Sequence, residues 1–238
     1  MRPRSLPLSR RCRQAELMDQ PGLDADEHAR ALRGLARINR LSRSDAILWP
    51  AIERLARTAG GSPIRILDVA TGGGDVPIAL ASRALRAGLR VQVEGCDVSP
   101  EAVRYARRQA EASGLSLRFF NLDVVNEPIP AGYDVVTCSL FLHHLAEADA
   151  ISFLRKAADS TSRLLLVNDL VRGPIGYLLA WSACRLLSRS PVVRYDGPVS
   201  VAGAFTLSEV RELAESAGLE GASLARRWPR RFLLSWSR

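Results

Sequence analysis

Apolar side chains recur along this chain in two rhythms. Before residue 60 the spacing is helical: Leu32, Leu35, Ile38 and Leu41, then Ile47, Ile52, Leu55 and Ala56, predict two amphipathic helices over 26–40 and 44–58. From residue 64 onward, short apolar, β-branched runs alternate with helical stretches. Strands are predicted over 64–69, 91–96, 117–122, 133–139 and 163–168, and the first of these has the run expected of a parallel strand covered on both faces. Between them lie helices over 76–87, stopped by Gly88, and from 100 to Gly114, with Ser99 as N-cap and Pro100 at the first helical position. A further helix is predicted over 148–158. Thr206-Leu207-Ser208-Glu209 reads as a capping box opening a helix that ends at Gly218. Two more strands follow over 220–226 and 231–236. Strands alternating with helices predict an α/β fold with a doubly wound sheet and an N-terminal helical addition. Residues 173–187 are apolar and aromatic, with Tyr177 and Trp181, and fit either a buried core helix or the wall of a ligand pocket. Residues 188–205 are expected to be irregular.

The first strand runs into Ala70-Thr71-Gly72-Gly73-Gly74-Asp75. Its glycines allow positive φ and close approach of a ligand to the backbone, and Pro77 suits the first turn of the next helix. The ligand is not expected to be a dinucleotide. Such a turn offers a bare helix N-terminus to a pyrophosphate, whereas Asp68 and Asp75 here would repel one and welcome a cation. Asp97 closes the second strand at the interval where an acidic residue accepts hydrogen bonds from ribose hydroxyls. Asp123 follows the third strand; it either faces a ligand or caps the loop Asn126-Glu127-Pro128. Two of the three histidines, His143 and His144, follow the fourth strand, where a group titrating near neutrality could take a proton from an acceptor or simply order the loop.

Composition narrows the picture in three ways. The chain has 238 residues, enough for one domain with a sizeable core. Its net charge of +8 is carried almost wholly by arginine, Lys156 being the single lysine. That balance suits nucleic acid or an anionic membrane surface, or reflects a GC-rich genome. Cys12, Cys96, Cys138 and Cys184 are widely spaced and form neither a C-x-x-C pair nor a disulfide framework, which fits a reducing, cytoplasmic compartment. No apolar run reaches the ~18 residues of a membrane span. Residues 1–14, rich in arginine, are expected to be a disordered basic tail, and no carboxylate and histidine cluster suggests a metal.

The motif Asp68-x-Ala70-x-Gly72-x-Gly74 resembles the first motif of the class I S-adenosylmethionine (SAM)-dependent methyltransferases, with Ala70 in place of the usual first glycine. From about 64 to 171 the chain is similar to the UbiE-like quinone methyltransferases, which share that replacement. The resemblance implies a Rossmann-like seven-stranded sheet of order 3-2-1-4-5-7-6 with strand seven antiparallel. It implies SAM as cofactor, held by Asp68, Ala70, Gly72, Gly74, Asp75, Asp97, Val98, Asp123, Val124 and Ser139, with Asp123 facing the adenine amino group. It places methyl transfer at the end of the fourth strand, where Cys138-Ser139-Leu140-Phe141 departs from the N-P-P-Y-like motif of enzymes that methylate amines of bases or glutamine. His143 and His144 are the candidate bases, and Arg172, Tyr177 and Tyr195 the candidate acceptor contacts. The expected division is a helical lid over 15–60 and a methyltransferase domain over 61–238, with a specificity insertion at about 172–205. The implied function is methyl transfer to an oxygen or activated carbon of a small, lipophilic, phenol- or quinone-like acceptor, with possible peripheral contact to an anionic membrane. Two alternatives stay open: an RNA methyltransferase, disfavoured because no aromatic residues interleave with the basic ones, and a catalytically silent SAM-binding partner protein.

Overall fold

The structure, a computed structural model, describes residues 8–19 and 22–238. Seven strands form one sheet: β1 (Ile64–Val69), β2 (Val91–Asp97), β3 (Arg118–Asn121), β4 (Tyr133–Ser139), β5 (Thr161–Leu170), β6 (Ser223–Arg227) and β7 (Arg231–Ser237), in the order β3-β2-β1-β4-β5-β7-β6. The first five run parallel, and β7 pairs antiparallel with both β5 and β6. The order reverses between β1 and β4, so their carboxyl ends open a crevice, the place where such sheets bind ligands.

Two apolar layers hold the sheet. On one face α2 (Ser44–Thr58) and α3 (Asp75–Arg86) pack Leu48, Ile52 and Leu80 onto Ile64, Ile66 and Val135. On the other, α5 (Glu147–Ser160) and α8 (Leu207–Ser216) bring Phe153, Leu154 and Leu213 onto Val136, Leu165 and Phe232. β1 serves both layers, which is why Ile66, Leu67 and Val69 are all fully buried. The remaining helix of the Rossmann-like unit, α4 (Pro100–Ala112), packs Val103 and Ala106 against Phe119 of β3. Its N-cap is Ser99, whose hydroxyl accepts from the Ala102 N–H at 3.2 Å. The capping box at Thr206 and Glu209 is formed as its sequence predicts.

A third cluster sits over the carboxyl edge. It joins α1 (Ala25–Leu41), α6 (Pro174–Leu187) and α7 (Pro191–Gly203) through Ala31, Cys184, Val192 and Val193. Here the structure corrects the expectation of an irregular 188–205. Ser190 caps a helix with Pro191 at its first turn and Pro198 inside it. Tertiary packing overrides propensity: Val192, Val193, Val199 and Val201 are buried. Gly197 is required there because a Cβ would collide with Cys184 Sγ, so α6 and α7 approach closely only through glycine.

The two N-terminal helices part company. α1 lies in the cap, whereas α2 covers a sheet face. The stretch expected to be a free basic tail also differs. Residues 1–7 lie outside the described residues, but 11–18 run along the body. Arg11 donates to the carbonyls of Gly203, His143 and Leu145 at 2.6, 3.0 and 2.6 Å and stacks over Phe205. The Cys12 N–H bonds the Ala202 carbonyl at 3.0 Å, and the N–H groups of Leu17 and Met18 bond the Asp196 carboxylate at 2.7 and 3.1 Å. Buried carbonyls that need donors, not the net charge of the segment, decide its position.

Gly74 has φ +77°, and a Cβ there would lie 2.8 Å from Ala106 Cβ and 3.2 Å from the Phe119 ring. Gly74→Ala is expected to cost about 1–3 kcal/mol through overpacking in addition to backbone strain. Gly88, at φ +64° with open space around it, isolates the strain alone. Urea unfolding of both variants checks this: equal losses would show that the α4 contact is not tight.

Candidate functional site

The turn after β1 is built on a buried carboxylate. Asp68 accepts hydrogen bonds from the Thr137 hydroxyl at 2.6 Å and the Thr71 hydroxyl at 2.7 Å. Burial pushes its pKa up to about 7, against the pull of those two hydroxyls. Beyond it the backbone turns through positive φ at Ala70, Gly72 and Gly74 (52°, 53° and 77°). At Gly72 no heavy atom lies within 4 Å of where a Cβ would be, so the turn is bare where it faces the crevice. Asp97 clamps the turn from β2: its carboxylate accepts from the Gly72 N–H at 2.8 Å and the Ser99 N–H at 2.9 Å. Burial also raises the pKa of Asp75, opposed by a hydrogen bond from Asn39 and by the Arg231 charge.

These groups line a cavity of about 910 Å³ between the carboxyl edge of the sheet and the helical cap. Asp68, Ala70, Gly72, Asp75, Asp97, Val98, Asp123, Val124 and Ser139 all reach its wall, and so do His143 and His144. Gly74 alone of the expected cofactor set is not on the wall; it packs on α4 instead. The polar groups gather at the glycine turn. The helical cap supplies the apolar side of the wall, through Leu32, Leu35 and Ile38 of α1 and Ala180 and Ala183 of α6, and Leu32 reaches over the turn itself. Asp123 does two things. It borders the cavity, and its carboxylate also caps the following loop, accepting from the Val125 and Asn126 N–H groups at 3.0 and 3.2 Å and from the Asn126 amide at 2.7 Å.

His143 is 4% exposed and fixed at both ends. The Asp169 carboxylate accepts from its backbone N–H at 3.0 Å and meets its Nδ1 at 2.7 Å. On the other side of the ring, Nε2 lies 3.5 Å from Glu16 Oε1. Burial would lower the histidine's pKa, but the charge and hydrogen bond of Asp169, joined by Glu16, raise it to about 10. An imidazole held between two carboxylates is a poor proton acceptor near neutrality. His144 stacks tilted on it, with ring centroids 4.3 Å apart.

The three candidate acceptor contacts lie elsewhere; none of Arg172, Tyr177 and Tyr195 lines the cavity. Arg172 is buried and committed to an ion pair with Glu209 at 2.7 Å and to the Ala204 carbonyl at 2.7 Å. Tyr195 is 45% exposed on the outer side of α7. The small residues Ala180, Ala183 and Gly197 face inward in their place. Three residues of the site escape a reading by motif, Glu16 and Arg231 on the wall and Asp169 behind His143. Glu16 lies at the start of the helical lid expected over 15–60, ahead of the first predicted helix, where no motif marks it. Asp169 is the penultimate residue of β5, and an acid at a carboxyl edge was a usable signal. Arg231 sits in an arginine-rich run that reads as surface, yet it is 3% exposed and donates to Ser42 Oγ at 2.7 Å and Asn39 Oδ1 at 3.3 Å.

The methyltransferase domain family matches residues 66–163 of this chain. That span contains most of β1, the glycine turn, Asp97, Asp123 and the histidine pair. The chain carries a methyltransferase domain of the SAM-dependent class. Within that class it is similar to a demethylmenaquinone methyltransferase of Thermus thermophilus, 37% identical over 109 residues, which are 45% of this chain and 48% of that protein. It is likewise similar to a ubiquinone biosynthesis O-methyltransferase of Bordetella parapertussis, 30% identical over 173 residues, 70% of this chain and 66% of that one. The chain thus spans about half the length of the first of these relatives. Among solved structures, the SAM-dependent methyltransferase SibL in its apo form has the same fold, with TM-score 0.67 and 22% identity over 94% of this chain and 62% of that one.

The raised pKa of Asp68 in the methyltransferase domain has a definite sign. The folded chain holds the Asp68 proton more tightly than the unfolded chain, whose ordinary value is 3.8. Its contribution to stability is therefore full below about pH 4 and is lost as pH rises through about 7. Asp68→Asn, which does not titrate, is expected to lose that dependence. Denaturation midpoints of the ligand-free chains should diverge between pH 4 and 8, with the variant gaining on wild type as pH rises. A constant difference would show that Asp68 is ionised throughout.

Proposed function

We propose that the chain transfers the methyl group of SAM to an oxygen or activated carbon of a small, lipophilic, phenol- or quinone-like acceptor. The carrying observation is one large cavity whose wall joins an acidic glycine turn to an apolar helical cap. The acidic turn suits a sulfonium cofactor that brings no phosphate. Asp97 is the ribose acceptor in this reading, Val98 and Val124 flank the adenine, and Asp75 takes the cofactor's ammonium. The apolar cap suits a hydrophobic ring or tail. The names of the Thermus and Bordetella relatives, both quinone-pathway enzymes, agree with that choice. Transfer rests on holding the nucleophile in line with the sulfonium methyl, near Ser139 and the Phe141–His144 turn.

Two substitutions probe the two sides of the cavity. Asp97→Ala is expected to weaken SAM binding more than tenfold by calorimetry, since a charge-assisted hydrogen-bonding group contributes about 1.5–3 kcal/mol. Ala183→Trp, which adds bulk at the apolar cap, is expected to leave SAM affinity unchanged and to raise the acceptor's KM. With labelled SAM and a lipid extract, the label should enter the organic phase. Label found only in RNA or in water-soluble products would overturn the lipophilic acceptor.

A second feature bears on where such an acceptor is met. No helix among the described residues is long and apolar enough to cross a membrane, but α6 turns an apolar face outward. Ile175, Leu178, Leu179 and Leu186 are 53%, 62%, 45% and 84% exposed, at the spacing of one helical face. Arg185 stacks over the exposed Trp181 at 4.0 Å, and Arg230 flanks the helix start beside Gly176. An apolar face edged by arginines fits peripheral contact with an anionic bilayer. The chain is expected to float with vesicles containing phosphatidylglycerol and not with pure phosphatidylcholine, and Leu178→Asp with Leu186→Asp should abolish flotation. Equal flotation of the double variant would remove α6 from the contact.

A further inference from the structure

We propose that Glu16, His143 and His144 form a binding site for one divalent first-row transition-metal ion, oriented by Asp169. One ligand atom from each of the three residues lies within 4.8 Å of the others. Glu16 Oε1 is 3.5 Å from His143 Nε2 and 3.9 Å from His144 Nε2. Donors bound at about 2.0–2.2 Å from one ion stand roughly 3–3.5 Å apart, so both Glu16 distances are already near that range, and the two imidazole nitrogens, within 4.8 Å of each other, close on a metal by side-chain rotation.

The arrangement around His143 supports this. Asp169 meets its Nδ1 at 2.7 Å while also accepting the residue's backbone N–H at 3.0 Å. In the metal-free chain Nε2 carries a proton toward Glu16; a bound ion would displace that proton, with Nδ1–H still held by Asp169 and the Nε2 lone pair freed for the metal. That is the carboxylate–histidine–metal relay in which an outer carboxylate sets the tautomer of a ligand. A lone proton on Nε2 would satisfy His143 and Glu16, but it does not require His144 to converge on the same oxygen. Two imidazoles and one carboxylate are the donor set of open divalent sites, and they favour zinc, manganese, iron or cobalt over magnesium. Glu16 and Asp169 together balance a divalent charge, and the Ser200 hydroxyl steadies Glu16 Oε1 at 2.6 Å. Arg13 is the opposing charge, on the wall of a smaller cavity of about 310 Å³.

The position gives the ion a use. Glu16, His143, His144 and Ser200 are common to the walls of the small cavity and the large one. Coordination positions left open by the protein donors therefore face the cavities. Holding an acceptor oxygen there rests on the methyl-transfer reading; binding of the ion does not.

The test uses the full chain, freed of metal by dialysis against chelator, and titrated with Zn²⁺ and with Co²⁺. One ion per chain is expected, with a Co²⁺ visible spectrum of nitrogen and oxygen ligands and a rise in melting temperature. Glu16→Gln and His144→Ala should each lower affinity at least tenfold, and Asp169→Asn about 10–100-fold. Cys12→Ser should leave binding unchanged. Absence of stoichiometric binding in wild type overturns the proposal, as does a thiolate-to-cobalt band or affinity insensitive to Glu16→Gln. If His144→Ala fails to fold, the wild-type cobalt spectrum decides by itself. Methyl transfer that persists in metal-free enzyme would leave the site standing and remove only its role toward the acceptor.

Discussion

The turn after β1 must pass between two helices and still leave its backbone open to the crevice, and much of the structure follows from that constraint. Gly74 touches Ala106 and Phe119, so α4 and β3 can close on the turn only without a side chain there. Gly72 faces the opposite way, into open space. Asp97 ties the two directions together by bonding the Gly72 and Ser99 N–H groups at once. One carboxylate thereby sets the angle between the glycine turn and the start of α4. The binding crevice is a consequence of how β1, β2 and α4 pack, not an addition to it.

Charge around the cavity follows the same economy. Asp68, Asp75 and Asp169 lie beneath or beside it, and each is partnered: two threonine hydroxyls for Asp68, Asn39 and the Arg231 field for Asp75, His143 for Asp169. Arg231 is the buried cation that balances the group. Burial lowers its pKa to about 10, against the Asp169 and Asp75 charges. Through Ser42 and Asn39 it also fixes the junction between α1 and α2. The strand that closes the sheet and the helix that closes the cavity therefore share one guanidinium.

The parts legible in the sequence are those fixed by local chemistry. The capping box at Thr206, the N-cap at Ser99 and the glycine turn each carry a signal within a few residues, while the strand order followed from the family resemblance that the glycine turn carries. Asp68, Asp97, Asp123 and the histidine pair reach the cavity because strand ends are recognisable and the crevice lies where the order reverses. What escaped depends on contacts distant in sequence. Tyr177 and Tyr195 looked like pocket residues because they are aromatic, but the interior of a close α6–α7 pair takes small residues, so Ala180, Ala183 and Gly197 face inward. Residues 188–205 read as irregular, but burial of the valines around Pro198 outweighs the helical hydrogen bond lost there. Arg172 could be read as an acceptor contact or as a solvated charge, and it is instead a buried partner of Glu209, a pairing 37 residues apart that no local pattern announces.

Glu16 is the case with the widest consequence. It precedes the sheet by some forty-eight positions, yet it faces His143 across the cavity wall. It is held there by Ser200 of α7, while the N–H groups of Leu17 and Met18 are held by Asp196 of the same helix. Arg11 and Cys12 bond the far end of α7 and the histidine turn. The N-terminal segment is thus stitched to α7 along its length, and α7 is stitched to α6 by the Gly197–Cys184 contact. Any movement that opens the apolar side of the cavity by shifting α6 must carry α7 with it. It must then either draw Glu16 away from His143 or break the bonds at Ser200 and Asp196. Access to the hydrophobic side and the environment of the buried imidazole are mechanically one variable, because a single strap of about eight residues, 11–18, spans both.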